Sequence, residues 1–415
     1  MSREMKHSGI EWIGEIPKEW NPARFKYSGC FVKGKLPVIQ NNENKGIPVI
    51  GASEMLGKEP RLYTEDSNLP MCTEEDILIL WDGANAGIIA NKCKGVVSST
   101  AVKYSCTDKR FDKQYMFYLL KNAEPFFKSK VGGTTIPHMN TTYIDEYLCV
   151  LPSFSEQQKI ASYLDKVCGE VDEMIALQEQ MIEELKAYKQ SVITEAVTKG
   201  LNSNVPMKDS GIEWIGKVPK YWEIRRIKNL FSLRDEKNSK PMDEVQLLSL
   251  YTGIGVFPHG EQEERGNKAI TVEGYKVVHK DDIVVNIILA WMGAIGVSNY
   301  DGVTSPAYDV YIPDLSKVVP HFFHYVFRTQ GIAGECYKYG RGIMMMRWRT
   351  YSSEFKQIQV PFPSIDEQQS IASFLDEKCS EIDSLIAIKQ AKIEELKEYK
   401  KSVIYEYVTG KKEVI

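Results

Sequence analysis

Nothing in this chain is spaced to hold a metal. Its six histidines are scattered, and its eight cysteines (Cys30, Cys72, Cys93, Cys106, Cys149, Cys168, Cys336 and Cys379) form no Cys-x-x-Cys and no paired Cys/His pattern. Zinc fingers, ribbons and catalytic zinc sites are therefore excluded. The opening MSREMKHSG has no apolar stretch of the kind a secretory leader needs. The thiols are accordingly expected to be free and buried, and the chain cytoplasmic. Long apolar runs are also scarce. The uncharged segment from Ile283 to Tyr300 is interrupted by Asn286, Gly293, Gly296, Ser298 and Asn299. Its apolar part covers about half of a membrane span, so it reads as a buried strand with a glycine turn. An excess of positive charge is missing too: the formal net charge is −4. That argues against a protein coated in basic residues, though not against a local basic groove.

What is present is said twice. "GIEWIGEIPKEW" from Gly9 returns as "GIEWIGKVPKYW" from Gly211, 202 residues later. "PSFSEQQKIASYLDKV" from Pro152 returns as "PSIDEQQSIASFLDEK" from Pro363, and "QMIEELKAYKQSVITEAVTKG" from Gln180 as "AKIEELKEYKKSVIYEYVTGK" from Ala391, both 211 residues later. Repeat units of this size are domains rather than the short modules of a solenoid. A chain of 415 residues fits that division. Each half has a repeated opening, a diverged middle and a repeated ending.

The endings read as long helices. Ile160, Leu164, Val167, Val171, Met174, Gln178, Met181, Leu185, Tyr188 and Val192 alternate steps of four and three, the seam of a coiled coil. Ser155 or Asp366 is expected to cap each start, and Gly200 or Gly410 to end each run. Two such helices of about 45 residues would each be roughly 65 Å long. The polar breaks Gln178 and Lys389 are repeat equivalents near mid-helix. Related by a pseudo-twofold axis, the helices would run antiparallel, with Ile182 by Leu385, Leu185 by Ile382, Val171 by Leu396 and Leu164 by Val403. Cys168 and Cys379 would then stand too far apart for a disulfide.

The middles differ in letters but keep an order of elements. "TEEDILILWDGANAGII" from Thr73 answers "HKDDIVVNIILAWMGAIGV" from His279: an acid, a β-rich run, a glycine turn, a second β-rich run. "KQYMFYLLKN" from Lys113 answers "PHFFHYVFRT" from Pro320 as a short aromatic helix. A glycine-rich loop and a strand then lead into each long helix. Each middle is a compact mixed α/β domain, and loops of different chemistry on one frame suggest readers of two different things.

The "W-I-G-x-(I/V)-P-x-x-W" opening, the glycine turn and the "E-Q-Q-x-I-A" entry to a long helix resemble the specificity subunit of Type I restriction–modification systems. The match spans essentially the whole chain, twice and in order. The resemblance implies an α+β architecture: two target recognition domains in tandem (1–151 and 205–362) and two long spacer helices (152–204 and 363–415) forming an antiparallel coiled coil. It implies double-stranded DNA as ligand, each domain reading half of a bipartite site, with no cofactor held by this chain. It implies DNA-methylating modification subunits, two of them, docked on the helices, and restriction/translocase subunits joining through the complex. A rod of that length can hold two domains apart by the roughly 34 Å of one DNA turn.

Candidate contacts follow. "KYGRGIMMMRWRTY" from Lys338 carries Lys338, Arg341, Arg347 and Arg349 without an acid, beside Trp348; arginine can bind phosphate or grip guanine. Its counterpart "GGTTIPHMNTT" from Gly132 offers Thr134, Thr135, His138 and Asn140, of which asparagine suits adenine. The turns Trp81–Asn85 and Trp291–Met292 are weaker candidates. The repeated Trp12, Trp20, Trp214 and Trp222 read as packing of a shared frame rather than as base-stacking platforms. Rival readings fare worse. "NPAR" (Asn21 to Arg24) is not the Asn-Pro-Pro-aromatic motif of an adenine methyltransferase, and "TGIGVF" (Thr252 to Phe257) is a weak glycine match. "DEK" (Asp235 to Lys237) is a chance-level nuclease fragment. A pure scaffold would explain the coiled coil but not the diverged middles.

Overall fold

The computed structural model describes residues 3–10, 12–132, 138–139, 147–260, 271–343 and 348–414. The chain divides into two compact units. The first comprises Met1–Glu179 with Ala391–Ile415, the second Gln180–Gln390. The long helices Phe154–Lys199 and Ile365–Val408 are thus each divided a residue or two beyond Gln178 and Lys389.

The first unit is built on a four-stranded antiparallel sheet in the order Gly29–Lys33, Ala101–Cys106, Ile77–Leu80, Ile89–Ala90. The second repeats it with Phe231–Leu233, Tyr308–Pro313, Ile283–Asn286 and Ile295–Val297. The strand before each long helix returns to pair with the strand after the tryptophan opening: Leu148–Leu151 with Asn21–Arg24, and Gln359–Phe362 with Glu223–Arg226. The apolar run from Ile283 is therefore a buried strand and turn, because every residue of Ile283–Asn286 packs inside the sheet. Among the described residues no helix is long and apolar enough to cross a membrane. The cysteines are free; five are buried, and Cys30 departs from expectation in being exposed.

Three repeated blocks meet in each unit. The Trp20 indole N–H donates to Glu156 Oε2 (3.0 Å), and the Trp222 indole to Glu367 Oε2 (2.9 Å). Both indoles are buried, so the carboxylate supplies the acceptor that a buried donor requires. The next residue, Gln157 or Gln368, is fully buried. Gln157 donates to Arg110 O and Pro152 O and accepts from Asp112 N; Gln368 donates to Lys317 O and Pro363 O and accepts from Val319 N. The far end of the other helix closes the knot. Gly410 lies so close to Pro17 and Trp20 that a Cβ would stand 2.5 Å from the proline ring, and Gly200 similarly abuts Trp222 at 3.2 Å. Both glycines adopt φ of 72–75°, which also favours their lack of a side chain.

The helix starts correct one detail. The caps are Ser153 and Ser364, two residues before Ser155 and Asp366, and each Oγ accepts from the N–H of Glu156 or Glu367. Glutamate at this position would ordinarily complete a capping box. Here its carboxylate is taken by the indole instead.

Each domain packs on the start of its own long helix and the end of the other. The first core joins Ile160, Leu164 and Cys168 to Val403, Ile404 and Val408; the second joins Ile371, Leu375 and Cys379 to Ile193, Ala196 and Val197. The helix segments run antiparallel within each unit. Tyr163 meets Tyr407, and Asp172 pairs with Lys400 at 2.6 Å. In the second unit Met181 meets Lys389 at 3.5 Å and Lys189 pairs with Asp383 at 2.6 Å. The two ion pairs are repeat equivalents with roles exchanged. The heptad seam holds near the domains but not toward mid-helix, where Met174, Met181 and Tyr188 are exposed while Ile182 is buried. A straight helix drifts about 20° per heptad against a 3.5-residue seam, so strict spacing leaves the buried side.

The glutamine clamp yields a test. Gln368→Ala removes two donors and one acceptor from a buried position and should cost about 1–3 kcal/mol or more. Lys189→Ala, on the helix surface, should cost less than about 1 kcal/mol. Denaturant unfolding of the two variants measures the difference.

Candidate nucleic-acid interface

In both units the glycine turn of the central sheet and the loop preceding the last strand converge. In the first unit the chain leaves Ile77–Leu80 through buried Trp81 into Asp82. Met139 N donates to Trp81 O (3.0 Å), and His138 forms a bridge with Asp82. The Asp82 carboxylate is hydrogen-bonded to His138 Nδ1 and, at 2.8 Å, to Lys33 Nζ. Burial opposes ionisation of Asp82, but the contacts from Lys33 and His138 outweigh it and hold the carboxyl below its ordinary range. Lys33 also lies over the Trp81 ring, 5.7 Å from its centroid. The His138 side chain stays 57% exposed. Thr134, Thr135 and Asn140 lie outside the described residues.

In the second unit the same place is aromatic and basic. The helix Gln330–Tyr339 carries Tyr337, on which Trp348 stacks at 5.1 Å with planes 22° apart. The Trp348 indole donates to Tyr337 O (3.0 Å). Gly340 permits this approach, since a Cβ there would fall 2.3 Å from Trp348 Nε1. The ring of Trp291 lies 6.1 Å from Tyr337, and Thr350 N donates to Ile287 O, tying the loop to the turn. Reciprocal backbone hydrogen bonds of 2.9 and 3.0 Å between Arg341 and Arg349 close the loop at its base. Arg341 reaches Glu354 at 3.2 Å and lies over Tyr351, yet its side chain remains 67% exposed. Lys338 is equally exposed beside Glu335 and Tyr339. Arg347 lies outside the described residues.

The structure thus brings His138 to the Trp81–Asn85 turn, and Lys338, Arg341, Trp348 and Arg349 to the Trp291–Met292 turn. The Trp348 N–H and one ring face are both taken up by Tyr337. Lys33, Glu354 and Tyr337 escaped sequence reasoning because each comes from a different element. The described residues contain no cluster of ligands that could hold a metal. Trp12, Trp20, Trp214 and Trp222 sit in or against the two cores, as a shared frame requires.

Residues 17–187 and 219–398 both match the Type I restriction modification DNA specificity domain. The chain belongs to that family. It is 28% identical over 410 residues to the Type I restriction enzyme MjaVIII specificity subunit of Methanocaldococcus jannaschii, covering 95% of this chain and 93% of that one. It is 23% identical to the EcoBI specificity subunit of Escherichia coli, over 83% of this chain and 76% of the other. A chain from a solved structure of type I restriction–modification assembly and conformational transition shares its fold, with a TM-score of 0.68 at 14% identity, covering 95% of this chain and 99% of that one. The protein is therefore a non-catalytic, DNA-recognising specificity subunit. Its two tandem domains fit a target in two parts, and its partners are DNA and other subunits of such a system.

In this specificity subunit, Asp82 engages both Lys33 and His138. If this turn faces DNA, Asp82→Ala should release Lys33 and His138, strengthen binding to all duplexes, and steepen the salt dependence by about one unit of slope. Discrimination at one position of one half-site should relax. Affinity of the assembled complex for cognate and single-base variant duplexes across a salt series checks both.

Proposed function

We propose that residues 1–151 and 205–362 are the two target recognition domains, and that the converging loops described above are their reading surfaces. One observation carries this reading: on matching sheets, the same two loops meet in both units, yet with different side chains. In the first unit the chemistry is His138 and Lys33 balanced by Asp82; in the second it is Lys338, Arg341 and Arg349 around an aromatic stack. A loop that served only the frame would keep its chemistry, as Trp20–Glu156 and Trp222–Glu367 do. Thr134, Thr135, His138 and Asn140 serve the first half-site; Lys338, Arg341, Arg347, Trp348 and Arg349 the second. Arginine reads guanine through two parallel hydrogen bonds, while asparagine and threonine suit adenine and mixed edges.

The partners follow the same two-fold repetition. Exposed apolar residues recur at equivalent helix positions: Met174 and Leu177 with Tyr399 in one unit, Leu385 and Ile388 with Tyr188 in the other. Two like surfaces suit two copies of a DNA-methylating modification subunit, with restriction/translocase subunits added through the complex. The chain itself needs no cofactor, and its working place is the cytoplasm.

Exchanging residues 21–151 for the corresponding segment of a relative should change one half of the methylated site and leave the other intact, read by methylome sequencing. A change in both halves would overturn the modular reading. Arg341→Ala and Arg349→Ala should cost about 1–3 kcal/mol and relax one base position if they grip a base. If they hold phosphate, they should weaken all sequences alike and flatten the salt slope. Unchanged affinity, preference and slope in both would move the reading surface elsewhere.

A further inference from the structure

Lys121 and Arg328 occupy the same place in the two units. Each stands three residues after a tyrosine whose hydroxyl donates to a long-helix aspartate: Tyr118 to Asp165 and Tyr325 to Asp376, both at 2.7 Å. In the first unit the cation is satisfied from within. Lys121 Nζ lies 2.6 Å from Glu124 Oε1 and donates to Ile89 O at 2.9 Å. Three residues on from Arg328 the second unit has Gly331. A carboxylate cannot stand there, because a Cβ on Gly331 would fall 2.2 Å from the Trp214 ring.

Arg328 is left with two buried nitrogens, Nε and Nη2, that have no hydrogen-bond partner among the described residues. An unpaired buried guanidinium is a costly arrangement, retained where something else supplies the acceptor. Burial also lowers the guanidinium pKa, against the opposing pull of Tyr325, Cys379 and Asp383. The neighbouring His324 imidazole is pushed down to about 3 by burial and then by Arg328, so it stays neutral. Beside Arg328 opens a cavity of about 450 Å³, lined among others by Lys186, Lys189, Gly253, Gly293 and Gln330. The one acid in its wall, Asp383, is already held by Lys189 at 2.6 Å. Lys186 is paired in turn with Glu183 at 2.8 Å, which leaves Arg328 as the cation of this wall with no matching carboxylate among the described residues. The glycines at its rim have φ of 75° and 82° and no atom near their missing Cβ, so the mouth is not obstructed there.

We propose that this pocket is a phosphate oxyanion site, present in the second unit and replaced in the first by the internal Lys121–Glu124 pair. A tetrahedral oxyanion offers acceptors to Nε and Nη2 together, the bidentate geometry that distinguishes arginine from lysine. The phosphate is either free or part of a DNA backbone.

The test uses the intact chain and inorganic phosphate at constant ionic strength, with chloride as the control, read by calorimetric titration and thermal unfolding. Wild type should bind phosphate and be stabilised by it. Arg328→Met should not respond, and in phosphate-free buffer it should be at least as stable as wild type, because an unpaired buried charge has been replaced by an apolar side chain. Gln330→Glu, nearly isosteric and on the cavity wall, should fold normally and lose most of the phosphate binding. It decides the matter should Arg328→Met fail to fold. No phosphate response in wild type, or an equal response in both variants, overturns the proposal whatever the reading loops do. A salt series with duplex DNA and the assembled complex identifies the source. A slope shallower by about one in Arg328→Met assigns the site to a backbone phosphate. An unchanged slope, with phosphate binding intact in wild type, assigns it to free phosphate.

Discussion

The architecture rests on a buried tryptophan held by a glutamate at the head of a long helix. Trp20 and Glu156 in one unit, Trp222 and Glu367 in the other, tie an opening strand to a helix that begins about 140 residues later. Neither partner tolerates loss of the other. An indole N–H inside a core needs an acceptor, and a carboxylate at its edge needs donors or water. Arg3 supplies Glu156 with a second partner at 2.6 Å, and Tyr221 supplies Glu367 with one at 3.0 Å. The adjacent buried glutamine extends the same joint to the loop before the short aromatic helix. One short motif therefore fixes the opening, the helix start and the domain at once.

That joint also explains which parts of the sequence were free to change. Gly200 and Gly410 bring the end of each long helix against the tryptophan of the other repeat. Every repeated block thus touches another repeated block, and a substitution in any of them disturbs packing in its neighbours. Among the described residues, the hydrogen bonds of Asp82, Lys33 and His138 and the stacking of Tyr337 on Trp348 lie outside these joints. These positions can carry Asp82, Lys33 and His138 in one copy and Tyr337, Trp348 and Arg341 in the other without loosening the frame.

Much of this was legible in the letters, but for reasons that differ by residue. The long helices, the strand–turn–strand runs at Ile77 and Ile283 and the packing role of the tryptophans follow from periodicity and repetition, which report local geometry and shared constraint. Repetition does not say which hydrogen bonds impose the constraint. Gln157 and Gln368 stood in the quoted motif, yet their backbone partners, such as Asp112 N and Val319 N, are unremarkable as letters. The observed caps stand two residues earlier because Ser-Phe-Ser and Ser-Ile-Asp each offer two capping side chains, and the choice depends on where the preceding strand releases the chain. At the candidate site the basic loop was visible as composition. Lys33 and Glu354 were not, because their contribution depends on sheet pairing and on a loop closure between residues far apart in sequence.

Duplication followed by divergence leaves a further trace inside the frame. Where the first copy pairs Lys121 with Glu124, the second has let Trp214 settle on Gly331 and so excluded the acid. A cation that loses its internal partner can be replaced, exposed or matched from outside. Lysine could have snorkelled toward solvent on its flexible stem. Arginine at 328 does the opposite: it keeps a planar, permanently charged group with two nitrogens inside the protein, in the wall of a cavity whose lysines are already paired. That choice is costly for stability alone and sensible only where an acceptor arrives from outside. The same logic separates the two reading surfaces. In the proposed first surface Asp82 engages both Lys33 and His138, which would suit discrimination at modest attraction. In the proposed second surface Lys338 and Arg341 lie beside Glu335 and Glu354 yet stay largely exposed, so phosphate charge would supply more of its binding. Two proposed readers on one frame need not divide affinity equally, and the greater exposure of Lys338 and Arg341 than of Lys33 would give the second the stronger electrostatic grip.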